Sequence, residues 1–263
     1  MPEHYKTWLL FHSAFMIAAL YGQQVFANEA GRDLSGVIGI GVSSGPEFAG
    51  SDNDTTDLIP IISLTWRDRY FLNERGLGFY AIRNAGPRDV TVSFAIGYDF
   101  DERLAEDDVR LTGLRDVEAG ALISAGLEFD LGGAAIEIEL NQGISSDGHE
   151  GTRAVVGAAF SRQVGDRLQL GVKPFAVWSD GSYADAFYGV SAQDAVTSPF
   201  AAYDAGSGFE RLGIELQASY ELTPRTALFL GVEHSQLLGD AKDSPISFDD
   251  SQTEISTGVL FRF

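Results

Sequence analysis

The chain contains no cysteine. A disulfide scaffold and a thiolate metal centre are therefore excluded, and an exported chain without thiols escapes misoxidation. Beyond residue 27 there is no apolar run near the ~20 residues that a membrane helix needs, which excludes a helical membrane protein. Positive charge is scarce: 18 Lys and Arg stand against 38 Asp and Glu, a net charge of −20. Such a chain repels nucleic acid, so no nucleic-acid partner is expected. Histidine is scarce too, and only His149 and His234 lie beyond residue 27.

What is present begins with a secretory signal. Trp8 to Leu20 is an apolar run broken by His12 and Ser13, the length of a signal h-region and too short to span a bilayer. Val25-Phe26-Ala27 offers small residues where a signal peptidase reads, so cleavage is expected after Ala27. The segment 1–27 carries one Lys and one Glu, so its loss leaves the charge unchanged. The remainder, 28–263, is expected to form one β domain. Its glycines, tyrosines and phenylalanines suit a barrel with aromatic girdles.

Alternation carries the fold class. In Ser251–Phe263, Thr253, Ile255, Thr257, Val259, Phe261 and Phe263 share one parity, and Gln252, Glu254, Ser256 and Arg262 the other. Successive strand side chains point to opposite faces, so this segment has an apolar face and a polar one. It ends on an aromatic residue, like the closing strand of a bacterial outer-membrane barrel, and Phe261 and Phe263 are the expected insertion signal. Segments of ~9–11 residues with this period recur from Leu34 to the end, the length expected of a tilted membrane strand, most clearly in 90–100, 134–141, 167–173 and 211–221.

Alternation alone does not separate a membrane barrel from a soluble sandwich; the connections do. Short turns fall near Arg67-Asp68, Asn84–Asp89, Leu131–Gly133, Gly165-Asp166 and Thr223-Pro224. Long polar loops fall at Ser44–Asp57, Asp101–Val117, Ile144–Gly151, Asp180–Gly208 and Leu238–Asp250. Short and long alternate, apart from a tight hairpin near Glu74–Gly76, as in barrels with short periplasmic turns and long external loops. The expected fold is an all-β, transmembrane, antiparallel up-and-down barrel of about twelve strands: 34–43, 58–66, 69–73, 77–83, 90–100, 119–130, 134–143, 152–163, 167–179, 209–221, 225–237 and 251–263. Ten strands would follow if 58–83 were one irregular excursion. Segment 58–66 is apolar on both parities, and Pro60 and Pro174 each remove a ladder hydrogen bond, so bulges or strand ends are expected there.

Four stretches, in order, resemble the MipA/OmpV family of outer-membrane proteins. They are Gly45–Asp52 after the first strand; Leu58-Ile59-Pro60 with Arg69-Tyr70-Phe71 and Gly76-Leu77-Gly78; Tyr188–Ser191 with Tyr203–Gly208; and Leu238–Ala241 with Ser244-Pro245-Ile246. Phe48 stands where that family has Tyr. The resemblance implies an outer-membrane location and no enzyme activity. It also implies, for some members, a scaffold role joining a murein hydrolase to a murein synthase.

Three features bear on chemistry. A triad needs a nucleophile hydrogen-bonded to His and a carboxylate orienting it, but Ser235 follows His234 directly and so takes the opposite strand face. His149 lies in a turn-like loop. The acidic loops around Asp52, Asp54 and Asp57, around Asp99–Asp108, and at Asp249-Asp250 could supply calcium oxygens, yet none has EF-hand spacing, and a solvated acidic rim is expected. The polar strand faces gather Glu137, Glu139, Arg153, Arg167, Lys173, Arg211, Glu215, Glu233, Glu254 and Arg262 as candidates to line the lumen. Such charges either pair across strands and hold register or line a cation path.

The sequence thus points to a monomeric, non-enzymatic barrel with no cofactor, metal or catalytic residue. Its expected partners are outer-membrane lipid and lipopolysaccharide, the barrel-insertion machinery and a murein hydrolase or synthase. A narrow cation-favouring channel is the alternative function, and an outer-membrane lipid hydrolase ranks behind it.

Overall fold

The computed structural model describes residues 33–83, 89–146 and 148–263. The expected signal segment 1–27 and most of the Asn84–Asp89 turn lie outside the described residues. Twelve strands close into one antiparallel barrel in chain order: β1 (Leu34–Pro46), β2 (Asp54–Trp66), β3 (Tyr70–Asn73), β4 (Gly76–Arg83), β5 (Val90–Asp99), β6 (Gly120–Asp130), β7 (Ala134–Gly143), β8 (Thr152–Val164), β9 (Leu168–Ser179), β10 (Gly208–Thr223), β11 (Thr226–Leu237) and β12 (Ser251–Arg262). The ten-strand alternative is overturned, because β3 and β4 each take a place in the wall. The ring closes where β1 meets β12, from Val37↔Arg262 to Ser44↔Ile255.

Alternation becomes two faces. On β12, Thr253, Ile255, Thr257, Val259 and Phe261 point outward, while Gln252, Glu254, Ser256 and Leu260 are buried inside. The outward apolar residues continue around the ring, through Ile38, Ile40, Leu58, Ile96, Leu140, Leu216 and Leu230. Their band faces lipid, where only a structure with its backbone groups bonded can stand. Trp66 and Tyr70 meet at 5.5 Å beside the Arg67-Asp68 turn, an aromatic pair at the periplasmic rim.

The interior has two halves. On the side of β1, β2, β11 and β12 it is filled by Val37, Ile59, Ile61, Ala227, Phe229 and Leu260, which pack as one apolar cluster. This explains why 58–66 is apolar on both parities: its inward residues meet Phe229 rather than water. The opposite half, β4 to β10, is polar.

Several expectations need correction. β1 and β2 each run further than the alternation suggested, so their loop shrinks to 47–53. Pro174 makes neither a bulge nor a strand end. Instead the β8–β9 pairing lapses between Gly157↔Phe175 and Phe160↔Val172, where the missing N–H falls. Pro60 also sits inside a strand without a bulge, paired with Ile40 in an unshifted β1–β2 register.

The β3–β4 hairpin turns back at Glu74 and Arg75, part-way up the wall. Gly76 takes a φ of 99° there, and a Cβ on Gly97 of β5 would come 2.2 Å from the Arg75 carbonyl oxygen. Both positions need glycine, one for its torsion and one for contact. Gly97→Val is therefore expected to push the hairpin off β5. Its unfolding free energy from urea titration in detergent should fall by about 2 kcal/mol, as overpacking does; a value equal to the parent's would count against so close an approach.

Candidate functional site: a capped, acidic lumen

The outer mouth is closed by the long loops. Helix α1 (Gly181–Tyr188), α2 (Asp194–Thr197), α3 (Gly239–Asp243) and a 3-10 turn at Val109–Leu111 fold together above the strands. Asp180 starts α1 by accepting hydrogen bonds from the Tyr183 and Thr152 backbone N–H groups at 2.9 and 2.8 Å. The cap has its own apolar core. Val117, Tyr183, Phe187, Tyr188, Ala205 and Leu237 form one cluster, and Phe48, Leu111, Leu114, Val190 and Ile246 form another. Arg103, 2 % exposed, ties two loops by donating to the Ala186 and Arg115 carbonyls. Outermost, Arg110 grips Asp52 and Asp108, and its guanidinium holds both carboxyls below the usual carboxylate range.

Under the cap lies a buried polar layer. Arg153 meets Asp101 and Glu210, each at 3.3 Å, and Tyr188 Oη donates to Glu210 at 3.2 Å. His149 is buried, 3.0 Å from Asp99 and edge-on to the Tyr183 ring. It is therefore a cap residue, not an exposed loop residue. Burial, with Asp99 beside it, pushes the Asp101 carboxyl up to about 6 against the opposing pull of Arg153. An acid whose folded value lies above its unfolded one takes up its proton more readily when folded. Its contribution therefore favours folding below about pH 4 and fades as pH rises through 6. Protection factors at the α1 amides, taken against the intrinsic exchange rate at each pH, should be higher at pH 5 than at pH 7, and Asp101→Asn should abolish that difference. Equal protection factors at the two pH values would refute the assignment.

Below this layer a cavity of about 310 Å³ runs down the polar half of the lumen, from Asp99, Phe100 and Arg153 to Arg83, Asp89 and Asp130 at the periplasmic end. Eight carboxylates line it (Glu74, Asp89, Asp99, Glu128, Asp130, Glu137, Glu139, Glu215) against four cations (Arg75, Arg83, Arg153, Lys173). Register explains their order. Lys173, Glu215, Glu233 and Glu254 stand directly opposite one another on β9, β10, β11 and β12. Lys173 reaches Glu137 at 3.2 Å and Glu215 at 3.9 Å, and Arg211 lies 3.9 Å from Glu233. Glu254 accepts a short hydrogen bond from Ser43. Gly157 makes room for the Lys173 stem, which a Cβ there would meet at 2.8 Å.

The ten candidate lumen residues thus fall in different places. Glu137, Lys173, Glu215, Glu233, Arg211 and Glu254 form the central belt. Glu139 lies 3.9 Å from Arg75, Arg153 belongs to the layer under the cap, and Arg262 is 3.7 Å from Glu221 near the periplasmic end. Arg167 stands apart, exposed in the turn before β9. Phe261 faces lipid, and the Phe263 backbone pairs with Gly36. Arg75 and Glu210 were missed by the pattern, one sitting in a hairpin turn and the other beside the bulge of β10. His234 is outward and exposed, 2.9 Å from Thr253, whereas Ser235 is buried inside. The two cannot act as a nucleophile and its base.

A model of the family described as "MltA-interacting protein MipA" matches residues 38–263. The chain belongs to this family. It is 23% identical over 249 residues to YiaT of Escherichia coli (strain K12), which is named an outer membrane protein; the match covers 94% of this chain and 98% of that one. Among solved structures it is similar to the NanC porin, at 11% identity and a TM-score of 0.48 over 85% of this chain and 100% of that one. It is also similar to OmpT, an outer membrane protein of Vibrio cholerae, at 8% identity and a TM-score of 0.40 over 88% and 97% of the two chains. The protein is an outer-membrane barrel of the MipA family.

Proposed function

We propose that this MipA-family barrel is a non-enzymatic scaffold whose acidic periplasmic mouth receives a basic segment of a murein synthase or hydrolase. The one-sidedness of the lumen carries the reading: the cap closes the outer mouth, while the cavity reaches Asp89 and Asp130 among the periplasmic turns. The family description, MltA-interacting protein, supports a murein enzyme as the partner. The turns at 67–69, 131–133, 165–167 and 224–225 are too short to build a standard patch of ~800 Å² per partner. A segment inserted into the mouth suits them better than flat docking. The opposed faces of His234 and Ser235 support a role without catalysis. Phe261 and Phe263 would serve the barrel-insertion machinery, and the apolar band would meet lipid and lipopolysaccharide around a monomer.

Affinity capture from detergent-solubilised envelope should recover a murein enzyme, in a salt-sensitive manner. Asp89→Lys with Asp130→Lys should abolish recovery, and recovery of no murein enzyme by the parent would overturn the scaffold reading. A narrow cation-favouring channel is the second reading, supported by the excess of carboxylates over cations along the cavity.

A further inference from the structure

The outer half of the barrel wall has a gap. The β2–β3 register stops at Leu64↔Leu72, and the β4–β5 register stops at Leu77↔Ile96. β2 and β5 continue outward past the hairpin. There, among the described residues, Leu58–Ile62 pair with β1 alone, and Gly97–Asp99 with β6 alone. At the hairpin, β2 and β5 stand three strand spacings apart, ~14 Å at ~4.8 Å each. The gap is framed above by Asn53, which donates to Asp108 at 3.0 Å, and by the Arg110–Asp52 pair. Glu74 and Arg75 form its sill.

This gap lies at bilayer depth. Leu58, 67 % exposed, and Ile62 on β2 belong to the outward apolar band, as does Ile96 on β5. The lumen cavity reaches it as well. Ser63 and Asn73 line the cavity beside the sill, and so does Tyr98, which shares the outward parity of Phe94 and Ile96 and is 49 % exposed. The Tyr98 hydroxyl donates to the Ala119 carbonyl at 2.9 Å, next to the outer end of β6, so the cavity reaches the outward side of β5 at the height of the gap.

β2 carries the marks of an edge at this height. Gly36 exchanges both backbone hydrogen bonds with Phe263, so even-numbered β1 residues turn toward β12. Their β2 opposites, Ile62, Pro60 and Leu58, are non-hydrogen-bonded pairs, and their N–H and C=O positions point away from β1 into the gap. Pro60 removes the middle donor, as edge strands often do. The remaining carbonyls cannot face hydrocarbon bare; such backbone is tolerated at membrane depth where it lines a wet cavity.

We propose that this gap is a lateral doorway through which an amphiphile in the outer leaflet, a cationic head on a single apolar chain, enters the lumen cavity. The eight carboxylates against four cations select the head, and the apolar jambs Leu58, Ile62 and Ile96 leave the chain in lipid. The proposal stands independently of the scaffold reading.

The chain has no cysteine, so single thiols report without ambiguity. The test uses the mature chain in phosphatidylcholine nanodiscs containing a lipid with a doxyl group high on one acyl chain. Bimane on Asn73→Cys, at the sill, should be quenched several-fold more than bimane on Val155→Cys, on the far wall of the cavity. Equal quenching would overturn the doorway. Dodecyltrimethylammonium should protect the Val155→Cys thiol from a water-soluble maleimide several-fold, whereas tetramethylammonium and dodecanoate should not. Equal protection by dodecanoate, or none by any of the three, would overturn the proposed ligand class. Asn73→Trp, which puts bulk on the sill, should slow protection by dodecyltrimethylammonium; an unchanged rate would also count against passage there.

Discussion

Replacing Lys173 with methionine is expected to be the most damaging single change in the barrel wall. Lys173 is 4 % exposed and is the cation between Glu137 and Glu215. Without it, Glu215, Glu233 and Glu254 remain as three carboxylates in direct cross-strand register, an arrangement that repels. Removing one partner of a buried ion pair costs about 3–5 kcal/mol, and the cavity beside Lys173 moderates this toward the lower figure. The measurement is the urea midpoint of the barrel in detergent micelles, read by tryptophan fluorescence. Lys173→Met with Glu215→Gln should recover part of the loss, because the double change removes one repelling charge as well. A midpoint unmoved by the single change would mean that the belt does not hold the strands in register.

Removing the cap should convert a silent barrel into a conducting one. The variant replaces residues 181–207 with a short Gly-Ser linker from Asp180 to Gly208. It deletes α1 and α2 and takes Tyr183, Phe187, Tyr188 and Ala205 out of the core that closes the mouth. The strands and the belt are untouched. In planar bilayers the parent should show no discrete steps, and the variant should show steps whose reversal potential in a salt gradient favours cations. The sign follows from the cavity wall, where carboxylates outnumber cations two to one. Steps from the intact parent would show that the cap does not close the mouth. Silence from the variant would place the block deeper, at the layer where Arg153 joins Asp101 and Glu210.

Most of the wall was legible because a strand has a period of two and lipid tolerates no lapse in it. β12 reads off its parity, since Glu254 and Ile255 cannot exchange faces without placing a charge in hydrocarbon. The inner surface was less legible. Ile59 and Ile61 broke the pattern because half of the lumen is apolar, and a rule of polar inside and apolar outside does not foresee that. The turn at Glu74–Gly76 was legible as a tight hairpin, but its stopping part-way up the wall left only two local traces, the shortness of 69–73 and the proline at 60. Their meaning depends on a β5 neighbour some twenty residues on. The polar layer under the cap was not legible at all. Asp101 lies in the loop after β5, Arg153 at the start of β8 and Glu210 near the start of β10, and nothing local says that they meet. The aromatics in long loops, Phe48, Phe187 and Phe248, were the available sign that those loops pack rather than wave in solvent.

The apolar half of the lumen has a consequence for assembly. The first and last strands must find each other across the whole length of the chain, and loop-closure entropy opposes that meeting. Val37 of β1 and Leu260 of β12 enter the same cluster as Ile59, Ile61 and Phe229, one from each side of the closing seam. Zipping the seam therefore removes several large aliphatic and aromatic groups from water, each worth about 1.5–3 kcal/mol when fully buried. The free energy released at that step offsets the cost of joining the two ends. A sheet with the seam still open would carry a greasy inner stripe, and the ring seals by hiding it.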